Sequence, residues 1–316
     1  MIKANYPWDE MPLNSQRRVS GTDIHGLFWL KDINSRCGFY VNLTCINHHV
    51  NKDIINNLKG ISITRRCTKE QSELILFLEN PDEYLDIFFT LCKDLIDVVS
   101  KESNKNYLIE IIEQRITKWH QFLKLKGRHE FGIEVQMGLF GELQCMLDFV
   151  IPQEGIKNAI FSWVGPDFDK QDFLLSKKVL EVKTYKTSKA PIVTISSAYQ
   201  LYSEEKPLFL IAYGISPSEN GKTIVELIND IKQYLKEIDY EIYNLFETKL
   251  LEYGYFSSET QELYSFLIDS IHAYDIKSEF PKITPIQLHN DILQVKYKID
   301  LLKCKPFEIK LSSLKD

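Results

Sequence analysis

Five short apolar segments follow one another between Phe161 and Tyr213, and they restrict the fold more than any other part of the sequence. They read FSWV, DFLL, VLEVKT, IVTI and LFLIAY. Short apolar runs bounded by polar turns are typical of strands in a largely buried sheet. The preceding segment, MGLFGELQCMLDFVI, has the apolar spacing of a buried helix. A helix followed by strands in this order predicts an α/β core with a mixed sheet over residues 126–215.

The regions on either side of this core have different patterns. Residues 1–125 begin with apolar and aromatic stretches separated by polar turns, which predict a β-rich region, and continue into two amphipathic helices. Residues 216–316 contain helical patterns and then a strict alternation from Leu293 to Leu301, which predicts a half-buried strand. We find no pattern in this C-terminal helical and β region that points to chemistry. Three regions are therefore expected.

The composition is that of a folded, soluble protein. Hydrophobic residues make up 44% and charged residues 26% of the chain, which is too apolar for disorder. No signal sequence is recognisable and no run of about 18 apolar residues occurs, so we expect a cytoplasmic protein. The six cysteines include no CxxC pair, which argues against a zinc cage or a disulfide framework.

The net charge of −6 argues against a protein that coats nucleic acid by charge alone. Contact with nucleic acid would need a local basic surface. One candidate is a lysine-rich stretch in which Glu181 is the only acid: Lys177, Lys178, Lys183, Lys186 and Lys189. A solvated hairpin is the alternative interpretation of these lysines.

The segment DFLLSKKVLEVKT, residues 172–184, reads as two strands joined by a tight turn near Ser176 and Lys177. A turn centred there places Asp172 directly opposite Glu181, with the two side chains on the same face of the sheet. Lys183 is two residues beyond Glu181 and shares that face. Two carboxylates and one ammonium group therefore converge. The alternative is a surface hairpin with a cross-strand ion pair, although the apolar surroundings of LEVKT argue against it.

Two carboxylates held this close repel each other unless a cation lies between them. Oxygen ligands with room for water are what Mg²⁺ prefers. A metal held there would polarise a phosphodiester oxygen and lower the pKa of a water, which a nearby lysine could orient. The arrangement suits phosphodiester hydrolysis.

Several motifs in a fixed order resemble the PD-(D/E)XK nuclease superfamily, and in particular the PD-(D/E)XK motif proteins of bacterial restriction and phage-defence loci. They are GLFGEL at residues 138–143, SWVGP with Trp163, DF at residues 172–173, LEVKT, and the later ISSAYQL. Each motif is weak alone, and the ordered set is more specific. The resemblance covers most of the chain and implies a restriction-endonuclease-like core.

The resemblance also implies roles for single residues. Asp172, Glu181 and the backbone carbonyl of Val182 would bind Mg²⁺, for which Mn²⁺ can substitute, and Lys183 would act on the attacking water. Glu142 would project from the preceding helix as a further ligand or supporting acid. Two nucleic-acid contacts are also implied, namely Lys186 and, on a helix after the third strand, Gln200.

Alternatives remain for two of these acids. A literal Pro-Asp pair occurs at Pro166 and Asp167, followed by Asp169, but only Asp172 is paired with Glu181 by the hairpin geometry. Glu142 lies between two small residues, Gly138 and Gly141, which could instead indicate close helix packing.

The resemblance implies a Mg²⁺-dependent DNA endonuclease of prokaryotic defence. It could form a homodimer, or work with an ATPase, helicase or methyltransferase partner. Two other functions are compatible with the sequence. One is a non-catalytic DNA-binding or assembly subunit of a defence complex, which the acidic charge favours and the complete set of acids and lysine disfavours. The other is a repair or recombination nuclease with the same chemistry.

Overall fold

The structure is a computed structural model, and it describes residues 6–20, 26–44, 60–67, 71–101, 108, 111–113, 115–117, 119, 131–167, 170–236, 240–255, 262–289 and 291–314. The chain divides into two compact units. The first comprises Met1–His129 with Gly254–Gln261, and the second comprises Glu130–Tyr253 with Glu262–Asp316. The mixed helix-and-strand architecture expected from the sequence is confirmed.

The first unit contains a five-stranded antiparallel sheet in the order β1-β2-β3-β5-β4. Its strands are β1 Ser15–Arg18, β2 Gly26–Lys31, β3 Cys37–Thr44, β4 Ile61–Cys67 and β5 Gln71–Leu78. Helix α1, Pro81–Lys101, follows, and the described residues between 108 and 119 are also helical. Alternation along the strands buries one face of the sheet, which includes Leu27, Trp29 and Phe39. The apolar stripe of α1, with Phe88 and Leu91, is buried in the same unit.

The second unit begins with helix α2, Ile133–Cys145, which continues through a π-helical turn, Met146–Val150, into α3, Ile151–Ser162. A mixed sheet follows in the order β12-β10-β9-β7-β6. Its strands are β6 Phe173–Leu174, β7 Val179–Lys186, β9 Leu208–Thr223, β10 Ser265–Asp275 and β12 Glu308–Ile309. Strands β7 and β9 are parallel, and the other pairs are antiparallel. Strands β8 Ile192–Ile195 and β11 Tyr297–Asp300 form a separate pair.

Two further helices have the ends that their sequences predict. Helix α4, Ile224–Leu235, begins with a capping box between Thr223 and Glu226. Helix α5, Tyr240–Tyr253, is followed by Gly254, whose φ of 104° is a left-handed conformation that glycine adopts at little cost. None of the helices in the described part of the chain is long and apolar enough to cross a membrane.

The C-terminal region differs from expectation in two ways. The boundary placed after residue 215 falls inside β9, which continues to Thr223, and residues 262–316 belong to the same compact unit as the core. The alternating stretch from Leu293 is a strand only over Tyr297–Asp300, and Leu293 itself is 98% exposed. Alternation predicted the strand but not its length, because its pairing partner β8 has only four residues.

Candidate active site

The hairpin of β6 and β7 has the predicted register. Phe173 pairs with Leu180 and Leu174 with Val179, and the Leu175 N–H donates to the Lys178 carbonyl across the turn. Continued by one residue, this register places Asp172 opposite Glu181. Strand β6 starts only at Phe173, because the Asp172 carbonyl accepts from the N–H groups of Val164 and Gly165 instead. The edge of β7 beside Glu181 and Val182 is therefore left open for side chains.

The Asp172 carboxylate fills this open edge. Its Oδ2 accepts a hydrogen bond of 2.7 Å from the backbone N–H of Val182, and the residue is only 9% exposed. The N–H and C=O groups of one strand residue point to the same side, so the Val182 carbonyl also faces this edge. Asp172 and the Val182 carbonyl thus offer two oxygen donors on one side of β7.

Glu181 and Lys183 form an ion pair on one face of β7. Lys183 Nζ lies 2.5 Å from Glu181 Oε1, and the exposed fractions of the two side chains are 17% and 0%. No hydrogen-bond donor among the described residues reaches Glu181 Oε2, although this atom is buried. A buried carboxylate oxygen without a donor is costly unless another cation satisfies it.

Glu142 reaches the site from helix α2, which packs on the opposite face of β7. A β-carbon at Gly141 would lie 2.5 Å from Thr184 Cγ2, so this glycine lets the helix approach the strand closely. Glu142 is 6% exposed and accepts two hydrogen bonds, one of 2.7 Å from Trp163 Nε1 and one of 2.8 Å from the Tyr253 hydroxyl. Gly141 therefore allows close helix packing, and the neighbouring Glu142 is a buried acid. The two interpretations of this segment do not exclude each other.

Gly165 holds Glu142 and Asp172 near each other. A β-carbon at this position would lie 2.6 Å from Glu142 Oε2 and 3.0 Å from Asp172 Oδ1. Distances of this size exclude any side chain at Gly165 unless a carboxylate moves. The glycine of the SWVGP segment therefore leaves room for two acids at once.

Burial dominates the electrostatics of these acids. It raises the pKa of Glu142 well above its usual value, with a further contribution from the negative charge of Asp172, while the hydrogen bonds from Trp163 and Tyr253 oppose the rise. Burial likewise raises the pKa of Asp172, against the lowering effects of Lys183 and the Val182 N–H. The pKa of Glu181 rises to about 8, because burial and Asp172 outweigh the attraction of Lys183.

Metal-free protein should become less stable as the pH rises because of Glu181. Its pKa is about 8 in the folded state against 4.5 as the ordinary value, so between these values the folded state binds more protons than the unfolded state. The free energy of unfolding therefore falls through this window and levels off above it. Replacing Glu181 by glutamine should remove this loss of stability. Between pH 5 and pH 8.5 the free energy of unfolding of the variant should therefore rise by roughly 2–4 kcal/mol relative to that of wild type.

Urea unfolding in EDTA at several pH values measures this difference. Asp172 raises the pKa of Glu181, and Glu181 raises that of Lys183, so the difference between the two curves reports on Glu181 together with its coupling to these two neighbours. Parallel curves for wild type and Glu181→Gln would show that Glu181 is not held at a raised pKa.

The donor set fits a hard divalent cation, with one condition. Carboxylate and carbonyl oxygens of Asp172, Glu181 and Val182 are the ligands that Mg²⁺ prefers, and the buried Glu181 Oε2 has no other donor among the described residues. As the side chains stand, no three Asp, Glu, His or Cys residues in the described ranges converge closely enough to hold a metal. The Lys183 ammonium group is the cation that contacts Glu181 in this arrangement. Metal binding therefore requires these side chains to rearrange, either with Lys183 releasing Glu181 Oε1 or with the cation taken up at the free Oε2 beside the lysine.

The remaining predicted residues lie at the margins of this site. Lys186 Nζ pairs with Glu134 Oε1 at 2.6 Å. Gln200 lies in a turn and not on the expected helix, because its Oε1 accepts from the Ser196 N–H and closes a tight loop after β8. In the literal Pro-Asp pair, Pro166 and Asp167 belong to a 3₁₀ turn, Gly165–Asp167, and Asp169 lies outside the described residues.

Two residues of helix α5 were not anticipated. Tyr253 donates to Glu142, and the buried Lys249 donates through Nζ to the Trp163 carbonyl. The C-terminal region, in which no sequence pattern points to chemistry, therefore contributes two residues that support the site. The two residues are four apart on one helix face, which is a visible spacing, but only the tertiary structure shows what that face meets.

Replacing Tyr253 by phenylalanine should lower the free energy of unfolding by about 1–3 kcal/mol, because the buried Glu142 Oε1 loses its donor. Tyr234→Phe is the matched control, since Tyr234 is 53% exposed on α4 and its replacement should cost little. Urea unfolding at pH 7 compares the variants. Equal stability of Tyr253→Phe and Tyr234→Phe would contradict the contact.

One family model matches the chain. The family model DUF4420, described as "Putative PD-(D/E)XK family member", matches residues 4–302, which is nearly the whole chain. No curated protein and no solved structure matches the chain.

Proposed function

Because the chain belongs to the DUF4420 family of PD-(D/E)XK proteins, we propose that it is a Mg²⁺-dependent DNA endonuclease that hydrolyses phosphodiester bonds in a prokaryotic restriction or phage-defence system. One observation carries the proposal. The fully buried Glu181 has one oxygen on Lys183 and the other without a donor in the described structure, next to the buried Asp172. Such an arrangement is costly in a purely structural hairpin and useful in a metal-dependent site.

Each residue has a distinct part in this proposal. Asp172, Glu181 and the Val182 carbonyl would hold the cation, and Glu142 would be a further ligand or would fix its surroundings through Trp163 and Tyr253. When bound, Mg²⁺ or Mn²⁺ supplies charge neutralisation at the phosphate and lowers the pKa of a water. Lys183, released from Glu181, orients the attacking water and stabilises the negative charge that develops on the phosphate. Lys186 lies on the same strand and would contact the substrate backbone if it leaves Glu134.

The substrate and the biological setting are supported by sequence motifs alone. We infer a DNA substrate and a role in defence from the resemblance to proteins of restriction loci. Gln200 would contact the substrate from the turn in which it lies. Cleavage of both strands of a duplex needs two such sites, which favours a homodimer. A partner ATPase, helicase or methyltransferase would supply translocation or discrimination between self and foreign DNA.

The proposal is tested with supercoiled plasmid and purified full-length protein in buffers containing Mg²⁺, Mn²⁺ or EDTA. The incubation is repeated with the products of neighbouring genes. We expect nicked or linear plasmid with either metal and intact plasmid in EDTA. Plasmid that stays intact under every condition, or that is cut equally well in EDTA, would refute it.

A further inference from the structure

One face of β7 carries both the proposed catalytic side chains and part of the hydrophobic core. Val179 and Tyr185 lie on the same face of the strand as Glu181 and Lys183, because successive side chains of a strand alternate between its two faces. Val179 and Tyr185 are buried in one hydrophobic cluster of the second unit. Glu181 and Lys183 therefore lie between two members of this cluster, and side chains that pack against the cluster lie near them.

The short strands β8 and β11 contribute to the same cluster. Ile195 of β8 and Ile299 of β11 are buried in it, and Tyr297 of β11 is partly buried against it. Tyr297 is paired with Ile195 and lies two residues before Ile299, so these three side chains project from one face of the strand pair. The Tyr297 ring therefore lies on the side of β7 that carries Glu181 and Lys183.

A backbone contact fixes the Tyr297 hydroxyl. Its oxygen accepts a hydrogen bond of 3.1 Å from the N–H of Ile283. A phenol that accepts a hydrogen bond still has its own hydrogen to donate. Burial raises the pKa of Tyr297 against the opposing effect of the Ile283 N–H, and the negative charge of Glu181 adds to the rise. The hydroxyl is therefore a donor near neutral pH, and it lies within electrostatic reach of the Glu181 carboxylate.

A second donor on this face has a use in phosphodiester hydrolysis. Negative charge develops on the phosphate oxygens in the transition state, and donors that are held in place in a site poor in water stabilise it most. Lys183 is one such donor, but its ammonium group also pairs with Glu181. The uncharged Tyr297 hydroxyl can donate to a phosphate without competing with a cation for the carboxylates.

We propose that Tyr297 is a further residue of the active site and that its hydroxyl donates a hydrogen bond to a phosphate oxygen of the substrate. The inference rests on the proposed nuclease function and assigns a substrate contact to β11. The alternative is a structural tyrosine whose hydroxyl serves only to hold Ile283.

Replacing Tyr297 by phenylalanine tests the inference, because phenylalanine keeps the ring and removes the hydroxyl. Rates of plasmid nicking by the full-length protein in Mg²⁺, measured over a range of plasmid concentrations, give kcat. We expect kcat to fall by roughly 10- to 150-fold, since a hydrogen bond to a charged group is lost. Calorimetric titration with Mn²⁺ should give the affinity of wild type, because the hydroxyl contacts the substrate and not the cation.

Tyr185→Phe is the matched control. Tyr185 belongs to the same cluster, and its hydroxyl lies 2.9 Å from Ser270 Oγ. Both variants lose one hydroxyl group and one hydrogen bond, so urea unfolding should show similar losses of stability. A merely structural role of Tyr297 would lower stability in this way and leave kcat unchanged. Only Tyr297→Phe should therefore lose cleavage, and Tyr185→Phe should cut like wild type.

The outcomes separate this inference from the proposed function. If wild type cuts plasmid and Tyr297→Phe has the same kcat, or if both variants are slowed equally, the inference is overturned and the proposed function stands. Loss of Mn²⁺ affinity in Tyr297→Phe would also overturn it, since the residue would then support the metal site. Wild type that cuts under no condition would overturn both.

Discussion

Replacing Lys183 by methionine is expected to reduce Mg²⁺-dependent cleavage of plasmid DNA by about 10²–10⁴-fold while metal binding is retained or becomes tighter. Methionine keeps most of the aliphatic length and removes the ammonium group. That group lies 2.5 Å from Glu181 Oε1 and must leave before a cation can use the same oxygen. Its loss therefore removes a competitor for the metal and, at the same time, the group that stabilises the developing charge.

Two measurements separate these effects. Calorimetric titration with Mn²⁺ reports metal affinity, and initial rates of plasmid nicking report turnover. Lys177→Met is the matched control, because Lys177 is an exposed lysine in the turn of the same hairpin and should change neither quantity. A Lys183→Met protein that loses metal affinity along with cleavage would show that Lys183 supports the metal site instead of competing within it.

Replacing Glu181 by glutamine is expected to abolish both metal binding and cleavage. The amide has nearly the same shape, but it lacks the negative charge and one of the two oxygen atoms. We expect Mn²⁺ affinity to fall by at least about 100-fold, which is the loss of one charged ligand from a hard-cation site. The stabilising effect of Mg²⁺ on thermal unfolding should disappear with it, since a cation that binds the folded state raises its stability.

Glu205→Gln is the control for this substitution, because Glu205 is an exposed acid of the same unit. It should keep the affinity of wild type and the thermal shift. Glu181→Gln should also be more stable than wild type at pH 8 without metal, because the variant lacks the buried carboxylate whose pKa is raised in the folded state. A variant that binds Mn²⁺ as tightly as wild type would remove Glu181 from the ligands.

The hairpin could be predicted because its register depends only on local sequence. A polar turn at Ser176 and Lys177 between two apolar runs fixes which residues face each other, and the structure has that register. The late start of β6 at Phe173 could not be predicted, because it results from hydrogen bonds that Val164 and Gly165 donate to the Asp172 carbonyl. That contact is what opens the edge of β7 and lets Asp172 reach the Val182 N–H.

Contacts between distant parts of the chain were the least accessible to sequence reasoning. Tyr253 lies 111 residues from its hydrogen-bond partner Glu142, and no local pattern connects them. The family resemblance places Gln200 on a helix, but its own side chain closes a turn onto Ser196. The glycines at positions 141 and 165 had visible motifs, although only the packing shows that both bring the acids together.

We propose that Asp172, Glu181 and Lys183 form a site that hydrolyses DNA. It is tested most directly by the initial rate at which supercoiled plasmid is nicked by wild type, Glu181→Gln and Lys183→Met in saturating Mg²⁺. We expect cleavage by wild type and none above background by either variant. Cleavage by both variants at the rate of wild type would contradict it.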